Sequence, residues 1–234
     1  MHVDDYALAH GIRDSRATVE TWQQGRWAVL GEWGALSFAI AIALLTATLI
    51  VSGFMVPDPS RLGIDGVTHP VRFLDFLQIL GRNGTVLAFH AMACVAGFIA
   101  GASMPIAAQN RSGISRWIHV KAGELAILYV VAVTIFSLSV QAYILGFQSA
   151  ALSEQLNVSN LELILSVMPH ALIELTALFL PLAAWVIAAR QEGWNQLLAA
   201  TYVTVVIAIP MLVVGALLEL FLWPQVLMTI SPSV

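Results

Sequence analysis

Residues 161–189 read LELILSVMPHALIELTALFLPLAAWVIAA, and what this stretch is decides what the chain is. Its ionisable side chains are Glu162, near one end, and His170 and Glu174 within it. As a helix rising about 1.5 Å per residue, it is long enough to cross roughly 30 Å of hydrocarbon. A charged side chain at the centre of such a helix costs at least about 2.5–3.5 kcal/mol, so His170 and Glu174 need company there. They stand four residues apart and share one helix face, which Ala177 and Pro181 continue. Pro169 and Pro181 each remove a backbone donor and free a carbonyl that must find a partner in protein or water. The prolines are therefore expected to break the helix locally, and the face they share with His170 and Glu174 is expected to point away from lipid.

Working outward, four further apolar segments of spanning length occur at 35–56, 85–107, 124–147 and 197–223. Across all 234 residues, 59% are hydrophobic and only 10% charged, whereas soluble domains carry about a quarter charged residues. The expected fold class is all-α: a polytopic membrane helical bundle of five transmembrane helices plus short amphipathic helices. The first apolar run lacks an early short apolar core with a small-residue cleavage site, so it reads as retained. Residues 1–34 form a cytoplasmic or interfacial N-terminal segment in which Trp22, Trp27 and Trp33 lie beside Arg13, Arg16 and Arg26, a composition that suits a helix in the headgroup layer or an ordinary cytosolic lead-in. Residues 35–225 form the membrane domain, and residues 226–234 a short extracytoplasmic tail. Between the first two spans, Phe73, Phe76, Leu77 and Leu80 fall at helical spacing. They predict a separate amphipathic helix at 70–82 that is too short to span.

Counting Lys and Arg orients the chain. A cytoplasmic N-terminus leaves seven of them inside (Arg13, Arg16, Arg26, Arg111, Arg116, Lys121 and Arg190) and three outside (Arg61, Arg72 and Arg82). The C-terminus then lies outside. Arg111, Arg116 and Lys121 make the loop after the second span a candidate cytoplasmic partner contact. Within that span Ala93, Gly97 and Gly101 recur every four residues and leave a groove for close helix packing, within the chain or between copies.

The same rise places His170 roughly 14 Å and Glu174 roughly 20 Å below the outer boundary, with His90 roughly 9 Å and Glu219 roughly 6 Å down. Gln141 lies at a depth similar to that of His90. These five residues are the candidate polar intramembrane network or ligand site. Three readings are open for it: a structural clamp, a transport or ligand pathway, and catalytic or metal chemistry. An H-x-x-x-E spacing is a weak metal signal, and the HExxH motif is absent. Cys94, the single cysteine, excludes an intrachain disulfide and a CxxC pair. Neither a phosphate-binding G-x-x-x-x-G-K-[ST] loop nor a G-x-S-x-G elbow occurs. No enzymatic activity, cofactor or metal is expected, and a net charge of −4 offers no field for nucleic acid. Asn83-Gly84-Thr85 and Asn157-Val158-Ser159 match the glycosylation acceptor triplet.

The segment MPHALIELTALFLPLAAWVIA resembles the signature of the stage II sporulation protein M family, whose late helix carries a Pro-His-Gly-x-x-Glu type motif. Pro169, His170 and Glu174 occupy the matching positions. The final LLELFLWP is similar to that family's terminal helix, with Glu219 and Pro224 corresponding. Ala171 replaces the usual glycine, residues 141–146 lack the expected Asn-Gly, and the basic loop at 111–124 has no counterpart. The resemblance implies a bacterial cytoplasmic-membrane protein that anchors or scaffolds a complex, its partners being a second copy, other membrane proteins or a cell-wall hydrolase. The alternative it implies is a permease-like subunit of a transporter driven by a separate ATPase.

Overall fold

The computed structural model describes residues 15, 17–22, 26–58 and 62–231; Arg13, Arg16, Arg61 and the last three residues lie outside the described residues, as does the Arg26 side chain. The fold is all-α, and among the described residues five helices are long and apolar enough to cross a membrane. The main helices are α1 (Arg26–Ser52), α2 (Phe73–Phe98), α3 (Gly113–Val120), α4 (Ala122–Leu156), α5 (Asn160–Arg190), α6 (Leu197–Leu217) and α7 (Trp223–Ile230). Among the described residues the only β pairing is an isolated bridge between Asp65 and His69.

Local chemistry explains where these helices begin. Before α5, Ser159 and Glu162 cap each other: the Ser159 backbone N–H and hydroxyl both donate to Glu162 Oε2 at 2.8 Å, and the Glu162 N–H donates to Ser159 Oγ at 3.2 Å. This capping box satisfies orphan donors at the helix start. Asp75 plays the same part for α2, accepting from the Arg72 N–H at 2.7 Å.

Four sequence-based boundaries are corrected. Helix α1 starts at Arg26 rather than residue 35, taking Trp27 and Trp33 into the helix. Trp33 is buried rather than spread in a headgroup layer, its ring edge-on to Trp22 at 5.2 Å. The separate amphipathic helix at 70–82 does not exist: α2 runs from Phe73 straight through Asn83 and Gly84. Each helical glycine there costs only about 1 kcal/mol, and no proline interrupts the run, so the apolar stripe becomes the first turns of a spanning helix. Pro169 and Pro181 do not break α5, which is continuous through both. The chain does not enter a free tail after Trp223 either: α7 follows a π-helical turn at Leu218–Leu222, and Ser231 Oγ donates to the Leu156 carbonyl at 2.6 Å.

Contacts divide the chain into two compact units. The first comprises residues 1–37, 86–134 and 178–208. Its core gathers Cys94, Phe98, Trp185, Ala188 and Leu197. Gly97 and Gly101 lie here, and the space they leave is filled by the Trp185 and Trp194 indoles rather than by another helix backbone. A Cβ at either glycine would overlap those rings. The second unit comprises residues 38–85, 135–177 and 209–234. Its apolar clusters centre on Leu156, Leu163 and Leu227 and on Ile79, Ala216 and Leu220. The segment before α2 is tied down by Gln155, which accepts from the Leu62 N–H at 2.7 Å and donates to its carbonyl at 3.0 Å.

The two kinds of glycine should respond oppositely to alanine. Gly97→Ala meets the Trp185 ring and should destabilise by about 1–3 kcal/mol, the usual cost of overpacking. Gly84, also helical, has no atom within 4 Å of a built Cβ, so Gly84→Ala should be neutral or stabilising by up to about 1 kcal/mol. Thermal unfolding of the detergent-solubilised protein checks both.

Candidate functional site

The site is assembled on the face of α5 that lies in the second unit. Ser166, His170 and Glu174 fall at intervals of four residues and are all buried. Four residues turn an α-helix by only about 40° more than a full circle, so they form a slowly winding stripe. Each meets a group from the last helical segment. Ser166 Oγ donates to the Leu163 carbonyl at 2.7 Å and accepts from Trp223 Nε1 at 3.1 Å. The His170 ring lies against the Trp223 indole, centroids 5.6 Å apart at 56°. Glu174 sits opposite Gly215 of α6, where a built Cβ would overlap the Glu174 side chain. Only glycine lets α6 accept a glutamate at that point.

Two more polar groups arrive from elsewhere. Asn83 of α2 is 6% exposed and neighbours the Glu174 carboxylate. Glu219, in the π-helical turn after α6, lies 3.9 Å from the Arg82 guanidinium through Oε1. Arg82 itself is 68% exposed, so it forms the open rim of an otherwise buried cluster. The π turn that carries Glu219 is a rare element that occurs often at functional sites.

Asn83 Nδ2, Glu174 Oε1 and Glu219 Oε2 are each buried and complete no hydrogen bond. Leaving a buried polar group unsatisfied costs about 1–3 kcal/mol, more when it is charged. The three atoms come from three helical segments of the second unit, α2, α5 and the π-helical turn. Among the described residues no group of three or more His, Cys, Asp or Glu side chains is placed to hold a metal ion.

Of the five residues expected in one network, His170 and Glu174 share one buried face of α5, and Glu219 lies on the helical segment that this face meets at Gly215 and Trp223. His90 belongs to the first unit, where Nδ1 bonds the Leu178 carbonyl at 2.7 Å and the ring packs 5.6 Å from Phe179. Leu178 precedes Pro181 by three residues, and the Pro181 carbonyl accepts from Cys94 Sγ at 3.1 Å. Side chains of α2 thus bond two carbonyls of the α5 turn that contains Pro181. Gln141 Nε2 donates to Ser137 Oγ, one turn back on α4, at 3.0 Å. Depth estimated along a helix fixes height but not direction. In the basic loop, Lys121 pairs with Glu124 at 2.6 Å and Arg111 donates to Ser115 Oγ at 3.3 Å.

Sequence reasoning missed Arg82, Asn83, Gly215 and Trp223. Asn83 reads as a glycosylation acceptor, but it is buried inside α2, where no modifying enzyme reaches it. The signal that could have found it is an amide inside a helix-period apolar stripe. For Gly215 the signal is a lone glycine in the apolar run IPMLVVGALLELF, four residues before Glu219. No protein-family model, curated protein or solved structure matches the chain.

Because Gly215 and Glu174 occupy one space, their substitutions should couple. Gly215→Ala alone is expected to cost about 1–3 kcal/mol by overpacking. Combined with Glu174→Ala, the total should fall short of the two single costs by about 0.5–3 kcal/mol, as for residues in contact. Unfolding titrations of the four proteins in bilayer mimetics give the coupling; simple additivity would separate the two positions.

Proposed function

We propose that the chain is a non-enzymatic polytopic subunit of a bacterial cytoplasmic membrane, similar to stage II sporulation protein M, that anchors or scaffolds partner proteins. The N-terminus lies in the cytoplasm and the C-terminus outside, as the Lys and Arg distribution favours. The observation that carries this reading is the surface of α4. Only 6% of its most apolar window is buried, against 61% for α5. Along it Phe136, Val140, Tyr143 and Phe147 are all exposed and succeed one another at intervals of four, three and four residues. The same spacing runs back along the helix to Val133 and Tyr129. That is the seam period of a helix packing lengthwise against another helix. Lipid needs no such register, whereas a partner helix uses it. Aromatic side chains supply large contact area there.

A second reading, a transmembrane subunit driven by a separate ATPase, is favoured by α3. This short helix exposes Ile114, Trp117 and Ile118 on one face, with Arg116 beside them. A helix of this kind between two spanning helices suits a docking contact. Under that reading an ATPase co-purifies and is released by reversing the charges at Arg116 and Lys121.

A photo-crosslinking side chain placed at Phe136 or Tyr143 in native membranes tests the anchoring reading. Adducts with one membrane protein, or with a second copy, are expected, and Phe136→Ala combined with Tyr143→Ala should release that partner without lowering the thermal stability of the chain. Adducts with lipid alone at both positions would contradict it.

A further inference from the structure

We infer that a cavity at the start of α1 binds an organic ammonium group, held between the Trp22 and Trp33 rings and the Glu32 carboxylate. None of the exposed α4 side chains takes part, so this site and the α4 seam stand or fall separately.

The cavity lies in the first unit, where α1 begins and α5 turns back into α6, and its volume is about 250 Å³. Alanines make the room: Ala184 and Ala188 of α5 and Ala200 of α6 line it and are buried. Drug-sized ligands occupy roughly 300–1,000 Å³, so this space admits a fragment the size of a lipid headgroup. Trp22 and Trp33 form one corner, their ring centroids 5.2 Å apart and their planes at 84°. Gln191 and Gln196 bring two amides from the connection between α5 and α6. Glu32 is exposed and marks the open side.

Each of these polar and aromatic groups favours positive charge. The face of an indole is the negative end of its quadrupole, and it attracts a cation within about 6 Å of the ring centre more strongly than Phe or Tyr does. The Glu32 carboxylate adds a full opposite charge. Glutamine amides can turn their oxygens toward an N–H donor. Among the described residues no Lys or Arg lines the cavity, and none pairs with Glu32. Other occupants fit poorly. An acyl chain would strip water from a carboxylate and two amides and return no hydrogen bond. An anion would meet like charge at Glu32. A bare hard cation takes six or more oxygen ligands, and among the described residues no group of acidic, histidine or cysteine side chains is placed to hold one.

The ammonium can come from two sources. The start of α1 and the connection between α5 and α6 are where apolar helix gives way to polar sequence, which is the level of lipid headgroups. A choline or ethanolamine headgroup reaches the cavity there from the bilayer, and a small free amine reaches it from the adjoining water.

Calorimetric titration of choline into the purified full chain tests the site, in nanodiscs of phosphatidylglycerol, whose headgroup has no ammonium. Saturable binding above that of empty nanodiscs is expected. The neutral isostere of choline, in which a carbon replaces the charged nitrogen, should bind about tenfold more weakly. Trp22→Ala should weaken choline binding about 3- to 30-fold. Glu32→Gln, a change at an exposed side chain that leaves the fold intact, should weaken it about tenfold. No saturable binding, equal binding of the isostere, or affinity untouched by Glu32→Gln overturns the proposal. Should Trp22→Ala fail to fold, Trp22→Phe replaces it, with a smaller loss expected, and an unchanged affinity counts against the cage. Repeating the titration in phosphatidylcholine nanodiscs tells the sources apart. Choline excluded from its site there assigns a headgroup, and unchanged affinity assigns a soluble amine; either result upholds the ammonium site.

Discussion

A glutamate in the middle of an apolar helix has to be surrounded before anything else about this protein can work. Glu174 meets Gly215 of α6 and has Asn83 of α2 beside its carboxylate. The same face of α5 brings His170 to the Trp223 ring and Ser166 to its indole nitrogen. Lipid can satisfy none of these groups, so the stripe fixes which side of α5 turns toward α2 and the last helical segment in the second unit. In the first unit the corresponding constraint is apolar: the Trp185 and Trp194 indoles occupy the space that Gly97 and Gly101 leave open.

Two kinds of backbone irregularity serve these constraints. The prolines of α5 loosen carbonyls without ending the helix, and His90 and Cys94 bond carbonyls beside and at Pro181. The π turns at Ile99–Ser103 and Leu218–Leu222 carry Gly101 and Glu219 respectively. A π turn inserts an extra residue into the helical register and re-aims the side chains that follow. Both coincide with a position where close packing or a polar contact is required.

The existence and class of the long helices were legible because apolar length alone decides them, and length is a property of sequence. Their ends were less so. Gly81 and Gly84 look like a break, yet a helix inside a packed bundle carries a glycine at about 1 kcal/mol, and α2 continues. Pro169 and Pro181 look like breaks for a similar reason. Within the site, His170 and Glu174 announce themselves by their cost in lipid, and Glu219 by the same rule. Asn83 and Gly215 do not, because an amide and a glycine are cheap in a helix and gain meaning only from the neighbour they face. His90 and Gln141 passed the rule of cost but answer to other partners, the Leu178 carbonyl and Ser137. A one-dimensional reading ranks residues by price; only the rotation of each helix tells which of them meet.

The claim most open to direct test is that α5 presents Glu174 to α6 at Gly215 rather than to acyl chains. Cysteines introduced as Glu174→Cys and Gly215→Cys, with Cys94→Ala as background, can be oxidised in intact membranes. The account requires a disulfide within the chain at this pair, because a Cβ at 215 adjoins the side chain at 174 and disulfides form only at such short range. Failure to crosslink, together with rapid labelling of the cysteine at 174 by a lipid-soluble thiol reagent, would place that face in the bilayer and contradict the account.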